Sequence, residues 1–175
     1  SAQPNDTTLT CLSEVPAAAT LVVTDNCDNI PVLFSEEITD SLCENQLVIT
    51  RTWFAEDACG NTFEASQIIT VKDSLAPVLS EKPVNVTVEC LNDVPSAPVI
   101  TASDECGIVP VTFKETITDS TCVNLLTITR TWTAADICGN TESAIQVIFV
   151  VDTIAPVMSA QPNDTTLTCL SEVPA

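Results

Sequence analysis

The sequence predicts an all-β chain made of small sandwich domains in tandem. Three observations lead there. The last 17 residues, Ser159 to Ala175, repeat the first 17, Ser1 to Ala17, letter for letter at an offset of 158. A shift of 79 superposes residues 1–79 on 80–158 at 40 positions, with Cys11, Cys27, Cys43 and Cys59 falling on Cys90, Cys106, Cys122 and Cys138. Apolar residues alternate with threonines and charged residues at period two, the signature of strands with one buried and one wet face. A 79-residue period is too long for a solenoid turn, about 20–50 residues, and suits an autonomous domain. Packing alone does not demand letter-for-letter identity, since cores tolerate hydrophobic swaps. The identity therefore predicts a window on a long array: domains at 1–77 and 78–156, and at 157–175 the first strand of a further copy.

The second repeat shows the elements most clearly. Val84–Glu89 and Pro98–Ala102 read as two strands. Val111–Ile117 alternates apolar residues with Thr and Lys, and Leu126–Ala134 carries Thr at every other place. Ala144–Val151 closes the set. No stretch has convincing helical periodicity. Short strands separated by turn signals predict an immunoglobulin-like sandwich. Ala76-Pro77 and Ala155-Pro156 mark the linkers, because proline fixes its own φ and holds the preceding residue extended.

Composition bounds the function. The net charge is −19, with five basic residues and no histidine. Such a polyanion repels nucleic acid and anionic lipid, and attracts divalent cations. The chain carries no apolar run long enough to span a membrane, so no membrane insertion is expected. Nine cysteines without a C-x-x-C pair or a histidine argue for disulfides rather than zinc, and so for an extracellular compartment.

Three motifs carry a family resemblance: Thr101 to Gly107 (T-x-x-D-x-C-G), Arg130 to Asn140 (R-T-W-T-A-x-D-x-C-G-N) and Val150 to Pro156 (V-x-D-T-x-A-P). Both repeats resemble HYR-type (hyalin repeat) domains, which are immunoglobulin-like. The first repeat departs at Asp28 and Phe54, where the second has Gly107 and Thr133. Cysteine-rich versions resemble repeats of giant bacterial cell-surface proteins, gliding-motility adhesins among them. The resemblance implies an extracellular, cell-surface setting in a bacterium.

Strand alternation puts successive cysteines at alternating ends of a sandwich. Of the three connectivities open to four cysteines, the short-range choice joins first to third and second to fourth. The expected bonds are Cys11–Cys43, Cys27–Cys59, Cys90–Cys122 and Cys106–Cys138, two per domain. Cys169 is expected to find its partner in a further copy.

Trp53 and Trp132 share a strand face with Ile49 and Ile128 and are expected in the core rather than as sugar-stacking platforms. Arg51 and Arg130 lie two residues away on the same face. They are expected to pair with Glu36 and Glu115 on the facing strand. The acidic turns offer oxygen ligands. Asp73, Asp104 and Asp136 are expected to meet at the joint, and Asp25 and Asp57 are their counterparts in the first repeat. Such a cluster would suit Ca²⁺, while the same residues would also serve as turn caps; spacing alone does not choose. Six Asp-Ser/Thr sites, at Thr7, Ser41, Ser74, Ser120, Thr153 and Thr165, resemble a bacterial O-glycosylation sequon. Asn5, Asn85 and Asn163 fit N-x-[ST].

The leading expectation is a structural repeat module of an extracellular, disulfide-stabilised filament or adhesin stalk, with further copies of the same repeat as partners. Two alternatives stay open: a calcium-dependent carbohydrate-binding array facing surface polysaccharide, and a pilus-like polymer assembled by strand exchange. Catalysis is not expected, because the chain has no histidine and a 79-residue sandwich leaves little room for a cleft.

Overall fold

A computed structural model describes residues 3–27, 29–118, 122–160, 166 and 169. The expected strand of a further copy at 157–175 lies largely outside the described residues, as do Asp28, Ser120, Asn163 and Thr165.

The first domain is built on one four-stranded sheet of β1 (Thr7–Leu9), β2 (Leu33–Cys43), β3 (Gln46–Glu56) and β4 (Thr62–Lys72), in the order β1-β4-β3-β2. β1 runs parallel to β4, pairing Thr7 with Ile69 and Leu9 with Val71. The other contacts are antiparallel. β3 alternates strictly between half-buried and buried positions, so Leu47, Ile49, Arg51, Trp53 and Ala55 face inward. In β4 the inward set is Ala65, Gln67, Ile69 and Val71. Facing these two strands, residues 16–27 and 29–32 run without regular structure, and Leu21 packs on Trp53 and Ala65.

The second domain repeats this sheet with β6 (Val86–Val88), β9 (Val111–Thr118), β10 (Leu125–Ala135) and β11 (Thr141–Val151), in the order β6-β11-β10-β9. A second sheet, β5-β7-β8, comprises β5 (Val78–Leu79), β7 (Ala102–Asp104) and β8 (Gly107–Val109). Leu79, Ile100, Ala102 and Val109 pack on Trp132, Ala134 and Ala144. That core closes a seven-stranded sandwich, the fold class expected. β5 and β8 carry too few residues to show a period, and the strand expected at Pro98–Ala102 is displaced to Ala102–Asp104.

Equivalent side chains hold equivalent places in the two repeats. Gln67 Nε2 donates to Asn5 O, and Gln146 Nε2 to Val84 O, both at 2.8 Å. Asp6 Oδ1 accepts from Ile68 N, and Asn85 Oδ1 from Val147 N. These bonds pin β1 to β4 and β6 to β11, so each four-stranded sheet is completed within the chain.

Both expected ion pairs are present. Arg51 Nε donates to Glu36 Oε2 at 2.7 Å and Arg130 Nε to Glu115 Oε2 at 2.6 Å, across directly opposed register positions. The arginines are buried and the glutamates reach solvent. Trp53 and Trp132 are each 2 % exposed. Trp53 Nε1 donates to Ala19 O, and each ring packs against a phenylalanine, Phe34 or Phe113. Burial leaves neither indole open for a sugar.

Candidate functional site at the domain joint

The joint forms where the chain leaves the first domain. β1 and β4 end together at Leu9 and Val71, and the hairpin between β2 and β3 turns at the same end. Cys11 and Cys43 therefore share that end. Glu14 Oε2 accepts from Cys11 N, and Asn45 Oδ1 from Leu12 N. Asn45 O also accepts from Asp73 N at 2.8 Å, tying the exit to the hairpin.

The second domain presents two turns of one design. In each, an aspartate two residues before a cysteine accepts that cysteine's backbone N–H. Asp104 Oδ1 accepts from Cys106 N at 3.0 Å, and Asp136 Oδ1 from Cys138 N at 2.9 Å. The first repeat has the same turns at Asp25–Cys27 and Asp57–Cys59. After Cys59 and Cys138, glycines at φ 85° and 88° close the turn in the left-handed region, where a Cβ is strained.

The disulfides join these two ends. Cys11 bonds to Cys106 and Cys43 to Cys138, each pair 95 residues apart with Cα atoms 5.3 Å apart, an ordinary disulfide span. The expected within-domain bonds Cys11–Cys43 and Cys106–Cys138 are thus replaced by bonds across the joint. Neither Cys27–Cys59 nor Cys90–Cys122 forms. The physical reason lies in the stacking of the domains. Cysteines sharing an end of one sandwich face the opposite end of its neighbour, and the neighbour's cysteines approach more closely. The separation of 95 is one 79-residue repeat plus the 16-residue spacing between successive cysteines.

The acidic residues divide into two groups. Asp57 and Asp136 cap turns: Asp57 Oδ1 takes the N–H groups of Cys59 and Asn61, and its Oδ2 takes Asn61 Nδ2 at 2.6 Å. The Asn61 side chain, then its backbone N–H, holds the Asp57 carboxyl below the usual range; desolvation opposes them. Asp136 makes the same set of bonds with Cys138 and Asn140.

Asp73 and Asp104 behave differently, because the joint brings them together. A carboxylate oxygen of each and Sγ of Cys106 all lie within 4.8 Å of one another. Asp136 lines the same cleft but stands outside this group. Both of its carboxylate oxygens are taken within its own turn, whereas the Asp104 turn bonds only Oδ1, so the expected three-aspartate cluster reduces to two. Asp25 and Asp57 join no such group among the described residues.

Of the Asp-Ser/Thr sites, Thr7 is half-buried in β1, and Ser41, Ser74 and Thr153 are exposed. Thr153 Oγ1 already donates to Glu89. Phe63, beside the Asp57 turn, is exposed, but Glu142 stands in its place in the second repeat. The aromatic edge is not repeated.

The sequence motifs, the sandwich and the four cysteines per repeat agree with a direct comparison. The family model described as an HYR-like domain with 4 cysteines matches residues 1–71 and again 78–150. The chain belongs to this family. It matches no curated protein sequence. As an HYR-like chain with disulfides, it is an extracellular repeat module of all-β domains. Among the described residues no helix is long and apolar enough to cross a membrane.

Proposed function

We propose that this chain is a load-bearing segment of a cell-surface filament or adhesin stalk, in which each HYR-like domain is stapled covalently to the next. The observation that carries this reading is the placement of both disulfides across the joint. A bond within a domain protects that domain but leaves the linker as the weak point. Two separate bonds across a joint oppose bending and twisting as well as extension.

The repeat register extends the pattern. Cys27 and Cys59 hold the positions of Cys106 and Cys138, and Cys90 holds that of Cys11. All three are exposed and outside the two disulfides. In a continuing array Cys27 and Cys59 would bond to a preceding copy and Cys90 to a following one. Further copies of the repeat are then the natural partners, and a bacterial surface is the natural setting by resemblance to giant surface repeat proteins. The acidic surface, with or without glycans on Ser41 and Ser74, would keep packed filaments soluble.

Strand exchange between subunits is disfavoured because β1 completes its own sheet by pairing with β4 of the same chain. Boiling the native filament in denaturant, with and without reductant, tests the proposal. A very large species that survives reduction is expected. Collapse to units near the 18.6 kDa of this chain would instead mean separate subunits.

A further inference from the structure

We infer that the joint between two domains is a binding site for one hard divalent cation, of the Ca²⁺ class, held by Asp73 and Asp104. The starting point is a buried charge without a partner. Asp73 is 4 % exposed, and its Oδ2 is buried with no hydrogen-bond donor. Its Oδ1 accepts from Leu75 N at 3.1 Å, and its backbone carbonyl accepts from Asn140 Nδ2 at 3.5 Å. With Asp73 N donating to Asn45 O, every polar atom of Asp73 except Oδ2 has a partner.

The surroundings make that buried carboxylate more costly. A carboxylate oxygen of Asp104 lies within 4.8 Å of one of Asp73, and like charges this close repel each other. Glu44 and Asp136 line the same cleft, and no lysine or arginine does. Of the five basic residues, Arg51 pairs with Glu36, Arg130 with Glu115 and Lys82 with Glu142, and neither Lys72 nor Lys114 lines the cleft. An ionised carboxylate left buried and unpaired is strongly unfavourable. A bound cation removes both the repulsion and the orphaned acceptor.

The donor set selects the cation class. Cys106 Sγ is consumed in a disulfide, so no thiolate is offered, and the chain has no histidine. What remains is carboxylate oxygen plus water from an open cleft. Ca²⁺ accepts six to eight such ligands in flexible geometry, whereas Mg²⁺ demands a near-ideal octahedron. Because Asp73 comes from one domain and Asp104 from the next, the cation would clamp the same joint that the disulfides staple. In a longer array Asp152, the counterpart of Asp73, would serve the next joint.

The test uses the non-reduced 175-residue chain, stripped with chelator and then titrated with CaCl₂ by calorimetry and thermal unfolding. One Ca²⁺ per chain and a Tm rise of several degrees are expected, since a ligand that binds only the folded state stabilises it. Asp73→Asn keeps Oδ1 for Leu75 and removes the buried charge. In chelator it should unfold at or above the parent Tm, yet bind Ca²⁺ on the order of tenfold more weakly or worse, as ligand charge sets affinity. Asp104→Asn should weaken binding likewise, while Asp152→Asn should not. No heat and no Tm change in the parent would overturn the site, as would Asp73→Asn and Asp104→Asn responding like the parent. Peptide mapping of the same sample reports the two cross-joint disulfides independently, so a missing staple and a missing cation site give different results.

Discussion

Cys11 is bonded to Cys106 across the joint, while Cys43, which shares its end of the first domain, is bonded to Cys138 in the second domain. This pairing changes what the four-cysteine pattern means. The bonds do not compensate for a small core within each domain. They convert two sandwiches into one mechanical unit.

Removing one staple should lower stability without creating new thiols. The double variant Cys11→Ser/Cys106→Ser opens a loop of 95 residues, worth on the order of 4 kcal/mol in the chain-entropy model. Denaturant titration should show that loss, and thiol titration of the unfolded variant should show no increase over the parent. Within-domain pairing predicts two additional thiols, from Cys43 and Cys138.

The ion pairs should respond asymmetrically. Arg130 is 5 % exposed and its guanidinium also reaches Gln146 Oε1, so Arg130→Ala leaves both a cavity and unpaired acceptors. A loss of about 3 kcal/mol is expected by urea unfolding. Glu115 is about a third exposed on its side chain, so solvent compensates part of its loss, and Glu115→Gln should cost about 1 kcal/mol. Equal costs would contradict the burial difference between the partners.

The turn after the fourth cysteine needs a left-handed residue. Gly139 sits at φ 88°, and an added Cβ would meet nothing within 4 Å. The penalty for Gly139→Ala is then conformational alone, about 1 kcal/mol. Gly139→Asn should cost less, because Asn tolerates that region better. If Asn proves as costly as Ala, the strain lies elsewhere.

Acid should act on the Asp57 turn. Its folded carboxyl titrates below the ordinary value because Asn61 donates to the charged form. A depressed folded value contributes stability that is present above the usual aspartate range near about pH 4 and is lost as pH falls through the lower folded value. Side-chain NMR titration should place the Asp57 midpoint below that range. In Asn61→Ala the midpoint should move back up, and an unchanged midpoint would contradict the assigned cause.

Much of the domain was legible in the sequence because its signals are local and periodic. Period-two alternation located the long strands, the two tryptophans marked the core, and strand parity matched Arg51 with Glu36 and Arg130 with Glu115. The disulfide partners were not legible in the same way. Strand direction correctly put Cys11 and Cys43 at one end, but proximity within one domain does not reveal what abuts that end. The signal that could have found the pairing is the repeat itself: with equal 16-residue spacings, a neighbour's cysteine is as eligible as one's own. Asp136 was drawn into the expected cation cluster by its place in the joint. Asn140 in the Asp-x-Cys-Gly-Asn turn claims both its oxygens, a local bond that the same motif at Asp57 and Asn61 could have disclosed. β5, two residues long, carries no pattern and is defined only by its partner β7.

Disulfide mapping is the most direct test. Digestion of the non-reduced chain, with thiols blocked before unfolding, should yield linked peptides joining Cys11 to Cys106 and Cys43 to Cys138. Linked peptides joining Cys11 to Cys43, or Cys106 to Cys138, would contradict the stapled joint and with it the load-bearing role proposed for the array.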